Sequence, residues 1–255
     1  MLGLALLSVP CAECRSRGHS ITRRSSHVSL RKRLNVNDVI TEPGTVELDF
    51  GYLYSFTSAF YGLPSTLKFT PAGSSLLTGR TEYSLAFDSV DSAVVSGSRS
   101  TQFSDRISFA ATSLLFNGTH LNIAVAPQAT ALLRDNSGMR IGGSAIVRYD
   151  RGPHSLGWTA SWTGATSPSD SNPAGVWDFV AGYGFKPVTK VTPHAELMFE
   201  RATGFDRTIG ASAGMEYQVT ERLAIDVTGL RLGLAGGTPD RQILIGMTLN
   251  LGKVR

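Results

Sequence analysis

Residues Gln242 to Gly252 read Q-I-L-I-G-M-T-L-N-L-G. Ile243, Ile245, Met247, Leu249 and Leu251 occupy one set of alternate positions; Gln242, Leu244, Gly246, Thr248 and Asn250 occupy the other. Successive side chains of a strand point to opposite faces, so this segment has one wholly apolar face and one mostly small or polar face. Its length matches the roughly 9–11 residues with which a tilted strand crosses a bilayer.

The same alternation recurs from Thr45 onward. Val46, Leu48, Phe50, Tyr52 and Tyr54 oppose Glu47, Asp49, Gly51 and Ser55 in a first strand. A short second strand sets Leu67 and Phe69 against Thr66, Lys68 and Thr70, and a third sets Tyr83, Leu85 and Phe87 against Glu82 and Ser84. Further segments begin near Arg106, Leu121, Arg140, Ser155, Trp177, His194, Thr208 and Leu223, which makes Gln242–Gly252 the twelfth. An even number of strands suits a single-chain outer-membrane barrel.

The connections are expected to alternate in length. Turns after even strands are read as compact: Thr78-Gly79, Asn117-Gly118, Asp150–Gly152, Pro187–Lys190 and Val219–Arg222. Asn-Gly is a strong hairpin signal. Loops after odd strands are read as longer, above all Thr57–Ser65, Ser89–Asp105 and Ala165–Ala174.

Charge separates lipid from water as the medium on the apolar face. That face carries almost none, with Arg231 the main exception, near a strand end. The other face carries the residues expected to line an interior: Glu47, Asp49, Glu82, Arg148, Glu196, Glu200, Glu216 and Asp226. A Lys or Arg facing lipid at the bilayer midplane costs about 2–4 kcal/mol. The reading is therefore an all-β chain forming a transmembrane antiparallel up-and-down β-barrel of about 12 strands over residues 45–255, located in the bacterial outer membrane. A soluble sandwich with the apolar face turned inward is the competing architecture.

Residues 1–44 are read apart from the barrel. Leu2–Val9 is an apolar run followed by Pro10-Cys11-Ala12, similar to a secretory signal but without the preceding positive segment, hence either a truncated signal or none. Seven basic residues and no acid lie between Arg15 and Arg33, whereas from Leu34 onward 17 Lys and Arg face 19 Asp and Glu. The basic excess thus belongs to a tail, read as solvated and disordered, not to a folded nucleic-acid surface. Cys11 and Cys14 are the two cysteines, so the rest of the chain has no disulfide; a lone C-x-x-C without a βαβ context is not read as a redox or metal centre.

Three stretches carry a family resemblance: T-V-E-L-D-F-G-Y (Thr45–Tyr52), Y-Q-V-T-E-R-L-A-I-D (Tyr217–Asp226) and I-G-M-T-L-N-L-G (Ile245–Gly252). With these the chain resembles the outer-membrane transporter family of the phenol meta-degradation pathway type over residues 45–252. The resemblance implies a porin-like carrier of small, often hydrophobic or aromatic, compounds, and it brings no catalytic residues. The closing strand departs from the usual assembly signal: Gly246, Leu249 and Leu251 fill the pattern with aliphatics, and Lys253-Val254-Arg255 follow.

The expected function is passive diffusion of a small-molecule solute, with no enzyme activity, cofactor or metal. Expected partners are outer-membrane lipid and the barrel-assembly machinery, with no nucleic acid; the pattern does not address oligomeric state. Two other classes remain: a barrel lipid hydrolase, and a structural or adhesive surface barrel. His154 and Ser155 are adjacent, so on a strand they face opposite sides and cannot form a nucleophile–base pair. His194 with Glu196 and Glu200 reads as part of a charge network filling the interior.

Overall fold

The computed structural model describes residues 40–253, apart from 57–59, 74–79, 96–97, 103–105, 133–137, 169–172, 188–189 and 236–239. Side chains at 60–61, 88–95, 98–102 and 132 are likewise outside the description. The signal-like run, the basic tail and both cysteines lie outside the described residues.

Thirteen strands follow one another: β1 (Thr45–Ser55), β2 (Phe60–Phe69), β3 (Thr81–Val95), β4 (Ser98–Gln102), β5 (Arg106–Asn117), β6 (Leu121–Leu132), β7 (Met139–Arg151), β8 (His154–Ala165), β9 (Gly175–Phe185), β10 (Val191–Ala202), β11 (Thr208–Thr220), β12 (Leu223–Ala235) and β13 (Asp240–Lys253). Each pairs antiparallel with its sequence neighbours, except that β4 pairs with β3 alone and β3 pairs with β5 as well. The ring closes because β1 pairs with β2 on one side and with β13 on the other. Twelve strands form the wall, and β4 folds back only on the far end of β3, from Asp91↔Gln102 to Val95↔Ser98. No helix among the described residues is long and apolar enough to cross a membrane.

Three expected connections differ. The Thr57–Ser65 loop is largely strand, since β2 starts at Phe60. Gly62 and Pro64 hide it: proline has no N–H for the ladder, and the β2–β3 register shifts between these two residues. The Ser89–Asp105 loop is mostly the β3–β4 hairpin, masked by its serines and aspartates, which break apolar alternation. On the opposite rim the link between β2 and β3 covers residues 70–80 and is longer than a tight turn. The other turns there are compact, at residues 118–120, 152–153, 186–190 and 221–222.

Burial follows the alternation. Along β12 every second residue from Ala224 to Leu230 is buried and each intervening one exposed. Thirty large apolar side chains are exposed among the described residues, including Phe50, Phe109, Trp158, Phe179, Leu197 and Met247. They encircle the barrel, whereas the largest apolar patch on a typical soluble monomer is about 300–600 Å². Such a belt suits hydrocarbon. No Asp or Glu of a described strand residue joins it; its charged members are Arg151, Arg201, Arg231, Arg241 and Lys253, all towards strand ends.

Ile245 lies mid-strand on this face, 43 % exposed, and Leu244 beside it is buried inside. Ile245→Arg should lower unfolding stability in lipid by about 2–4 kcal/mol. Urea titration in vesicles measures it; a loss below about 0.5 kcal/mol would contradict lipid exposure at that depth.

Candidate channel lumen

Inward positions hold mostly polar side chains, and the strand parity fixes which ones. Glu47 and Asp49 alternate with Leu48 on β1; Glu82 is on β3, Arg148 on β7, Glu196 and Glu200 on β10, Glu216 on β11 and Asp226 on β12. All eight project to the inner face. Seven are buried, between 2 % and 8 % exposed, and Glu216 is half-buried.

The lumen divides into three arcs. In the first, Lys68 of β2 sits between two carboxylates, its Nζ 2.8 Å from Glu47 Oε1 and 2.9 Å from Asp49 Oδ2. Register explains this: Glu47 is directly opposite Lys68, and Asp49 is one inward step along β1. A buried charge is tolerable only when paired; here one ammonium serves two carboxylates.

The same arc receives the chain before β1. Gly44, at φ 84, takes a left-handed conformation that reverses the backbone. Its N–H donates to Thr70 O at 2.6 Å. Thr41 N–H then donates to Glu82 Oε2 at 2.8 Å, and the Thr41 and Thr70 hydroxyls lie 2.7 Å apart. Ile40, 6 % exposed, packs with Leu114, Ala124, Ala126 and Ile146, the inward apolar residues of β5, β6 and β7. Residues 40–44 thus lie inside the mouth on the short-turn side, running from β2 to the inner face of β5–β7.

The second arc, β5–β8, is cationic. Arg106, Arg140 and Arg148 point inward; the inward carboxylate there is Asp150, which Arg148 holds through Nε at 2.8 Å and Nη2 at 2.9 Å. Arg140 donates to Thr163 O at 3.0 Å and Pro173 O at 2.8 Å, tying β7 to the β8–β9 connection.

The third arc, β9–β13, is anionic. Asp178, Glu196, Glu200, Glu216, Asp226 and Asp240 face inward, with no inward Lys or Arg among the described residues. Asp178 is directly opposite Glu200, and Glu216 opposite Asp226. Ser212 Oγ donates to Glu196 at 3.0 Å; Ser55 Oγ and Gln242 Nε2 donate to Asp240 at 2.7 and 2.6 Å. Glycine makes room for the carboxylates: a β-carbon at Gly246 would overlap the Asp226 side chain. In the twelve-strand order, β5 stands opposite β11, β6 opposite β12 and β7 opposite β13. The arginine wall therefore faces the carboxylate wall.

The histidines separate. His154 is on the outer surface, Nδ1 2.7 Å from the Tyr183 hydroxyl, while Ser155 faces inward. His194 is buried inside with Nε2 3.0 Å from Thr228 Oγ1. Lys68, Asp150, Asp240 and Ile40 belong to the lumen without having been singled out from the sequence. Alternation placed Lys68 on the polar face, but pairing with Glu47 depends on strand register, which alternation does not reveal.

No protein-family model and no curated protein sequence matches the chain. Its fold, however, is that of solved outer-membrane barrels. The COG4313 outer membrane channel from Pseudomonas putida F1 superposes with a TM-score of 0.62 at 10 % identity, over 85 % of this chain and 99 % of that one. The KdgM porin gives 0.59 at 10 % identity, over 81 % and 99 %. The NanC porin gives 0.58 at 11 %, over 80 % and 100 %.

Removing Lys68 would strand Glu47 and Asp49. Lys68→Met should destabilise the barrel by roughly 3–5 kcal/mol, and adding Glu47→Gln and Asp49→Asn should restore most of it. Denaturant unfolding of the variants tests this; an unchanged single variant would show that the cluster is water-filled and weakly coupled.

Proposed function

We propose that this protein is an outer-membrane channel through which small solutes pass by passive diffusion. Supporting this are the closed barrel with a polar inner face and an apolar belt, together with fold likeness to channels and porins. One of those structures is titled the KdgM porin in complex with disordered oligogalacturonate. The more specific kinship with transporters of the phenol meta-degradation pathway type, with its hydrophobic or aromatic solutes, rests on the three sequence stretches alone.

The observation that carries the solute reading is the charge of the inner face. Six carboxylates on β9–β13 and three more around Lys68, with Asp150, outnumber the inward cations Lys68, Arg106, Arg140 and Arg148. Even if every inward Lys and Arg is paired with one carboxylate, negative charge remains. A low-dielectric wall concentrates that field within the lumen and raises the local concentration of counter-ions. Small polar cations are therefore favoured over anions, and the opposed pairs Asp178/Glu200 and Glu216/Asp226 mark where the potential is deepest. Residues 40–44 narrow one mouth and set the conductance.

In planar bilayers under a salt gradient, the full chain should show a reversal potential of the sign for cation preference. Glu216→Gln with Asp226→Asn should move it towards zero, and Ile40→Gly should raise conductance while leaving its sign unchanged. Anion preference would overturn the solute reading. Absence of any uptake by folded protein, with or without Ile40→Gly, in liposome swelling would overturn the channel itself.

A further inference from the structure

One titratable side chain on the inner face is neither an acid nor a permanent cation. His194 on β10 is buried and points inward, with Nε2 3.0 Å from Thr228 Oγ1 of β12. Strand β11 runs between the two, and its residue at this level is Gly214, in register with both. A β-carbon at Gly214 would collide with Thr228 Oγ1 and with His194 Nε2. The missing side chain on β11 is what lets the imidazole reach over one strand to the hydroxyl. Among the described residues the other imidazoles are exposed, His120 in the turn between β5 and β6 and His154 on the outer surface. His194 is therefore the one that lines the lumen.

Carboxylates flank this contact on three consecutive strands. Glu196 is one inward step from His194 on β10, Glu216 one step from Gly214 on β11, and Asp226 one step from Thr228 on β12. Glu196 lies on the loop side of the contact; Glu216 and Asp226, directly opposite each other, lie on the short-turn side. The neighbouring strands add no charge at this level. Strand β9 places Gly184 and Gly182 beside His194 and Glu196, and β13 places Leu244 and Gly246 beside Thr228 and Asp226. Across the lumen, β3 carries Glu82. The nearest inward cation along the wall, among the described residues, is Arg148. It stands three strands from Glu196, beyond Gly157 and Gly182, and holds Asp150.

We propose that His194 is a proton-operated charge in the anionic wall: neutral in neutral or alkaline medium, cationic in acid, and in its cationic form weakening the barrel's preference for cations. This inference rests on the cation-favouring channel as the function and adds its regulation. Imidazole is the side chain whose ordinary charge change falls between about pH 5 and 8. A protonated ring donates through both nitrogens. Nε2 then donates to Thr228 Oγ1, and the Thr228 hydroxyl turns its own hydrogen to another acceptor. The new positive charge sits between Glu196 on one side and Glu216 with Asp226 on the other. It cancels one negative charge beside the pair where the potential is deepest, and a unit charge at such short range changes the local cation concentration severalfold. Cation entry therefore falls as the pH falls.

The test is the reversal potential of the full chain in planar bilayers under a potassium chloride gradient, from about pH 8 down to about pH 5.5, above the ordinary carboxylate range. The cation-to-anion permeability ratio should fall roughly twofold or more in a single step. His194→Gln, which keeps a hydrogen-bonding group beside Thr228, should abolish the step. His194→Lys carries the charge throughout this range and should show a low ratio without a step. Carbon chemical shifts of the labelled imidazoles in micelles follow the proton itself, with His194→Gln identifying the resonance, and should titrate with the same midpoint as the permeability. A ratio that does not change with pH, a step that survives in His194→Gln, or a His194 ring that stays neutral across the range would overturn the switch and leave the channel standing. No current from folded wild-type protein at any pH would overturn the channel reading, and the switch with it.

Discussion

Everything in this molecule depends on leaving no backbone group unpaired at the edge of the sheet. In hydrocarbon an unpaired N–H or C=O costs several kcal/mol, and an open strand edge would expose a row of them. The pairing of β1 with β13, from Thr45↔Lys253 to Ser55↔Gln242, removes both edges at once. Closure then dictates the rest. A closed sheet has an inside and an outside, so the period-2 alternation of every strand sorts side chains into two environments. The apolar set must meet lipid, and the polar set must satisfy itself within a confined space.

The inner surface shows how that confinement is met. Lys68 answers Glu47 and Asp49; Arg148 answers Asp150; serine hydroxyls and the Gln242 amide answer Glu196 and Asp240. Glycines opposite carboxylates, as at Gly246, supply volume where a side chain would collide. The surplus of carboxylates, gathered on the arc facing the arginines, converts a structural solution into an electrostatic one. The interior thus carries a field directed from one wall towards the other. Residues 40–44 add a second constraint, because Ile40 anchors on the inner face of β5–β7, away from β1, the strand that the segment leads into.

Much of the architecture was legible in the chain because alternation is a local property. Val46–Tyr54, Trp177–Phe185 and Ile243–Leu251 show it without interruption, and those segments coincide with β1, β9 and β13. It failed where a local rule was broken. Gly62 and Pro64 concealed the start of β2, and the serine- and aspartate-rich stretch after Phe87 concealed the β3–β4 hairpin. Strand ends extend beyond the alternation: β10 runs to Ala202 and β13 begins at Asp240, which places Arg201 and Arg241 with Arg231 on the outer face. The inner carboxylates could be assigned a face by parity, but not their partners. Those follow from register between strands far apart in sequence, such as Ser55 with Asp240, and from a segment before β1 that carries no periodic signal.

The central claim is that one face of each strand meets lipid and the other a polar interior. The most direct measurement is a cysteine scan along β13 in the chain with Cys11 and Cys14 replaced. A fluorophore is attached at Leu244, Ile245, Met247, Thr248 and Leu249 in turn, and quenching by brominated lipid is recorded in vesicles. Strong quenching at Ile245, Met247 and Leu249 with weak quenching at Leu244 and Thr248 is the predicted result. Uniform quenching, or quenching with the opposite parity, would contradict the account.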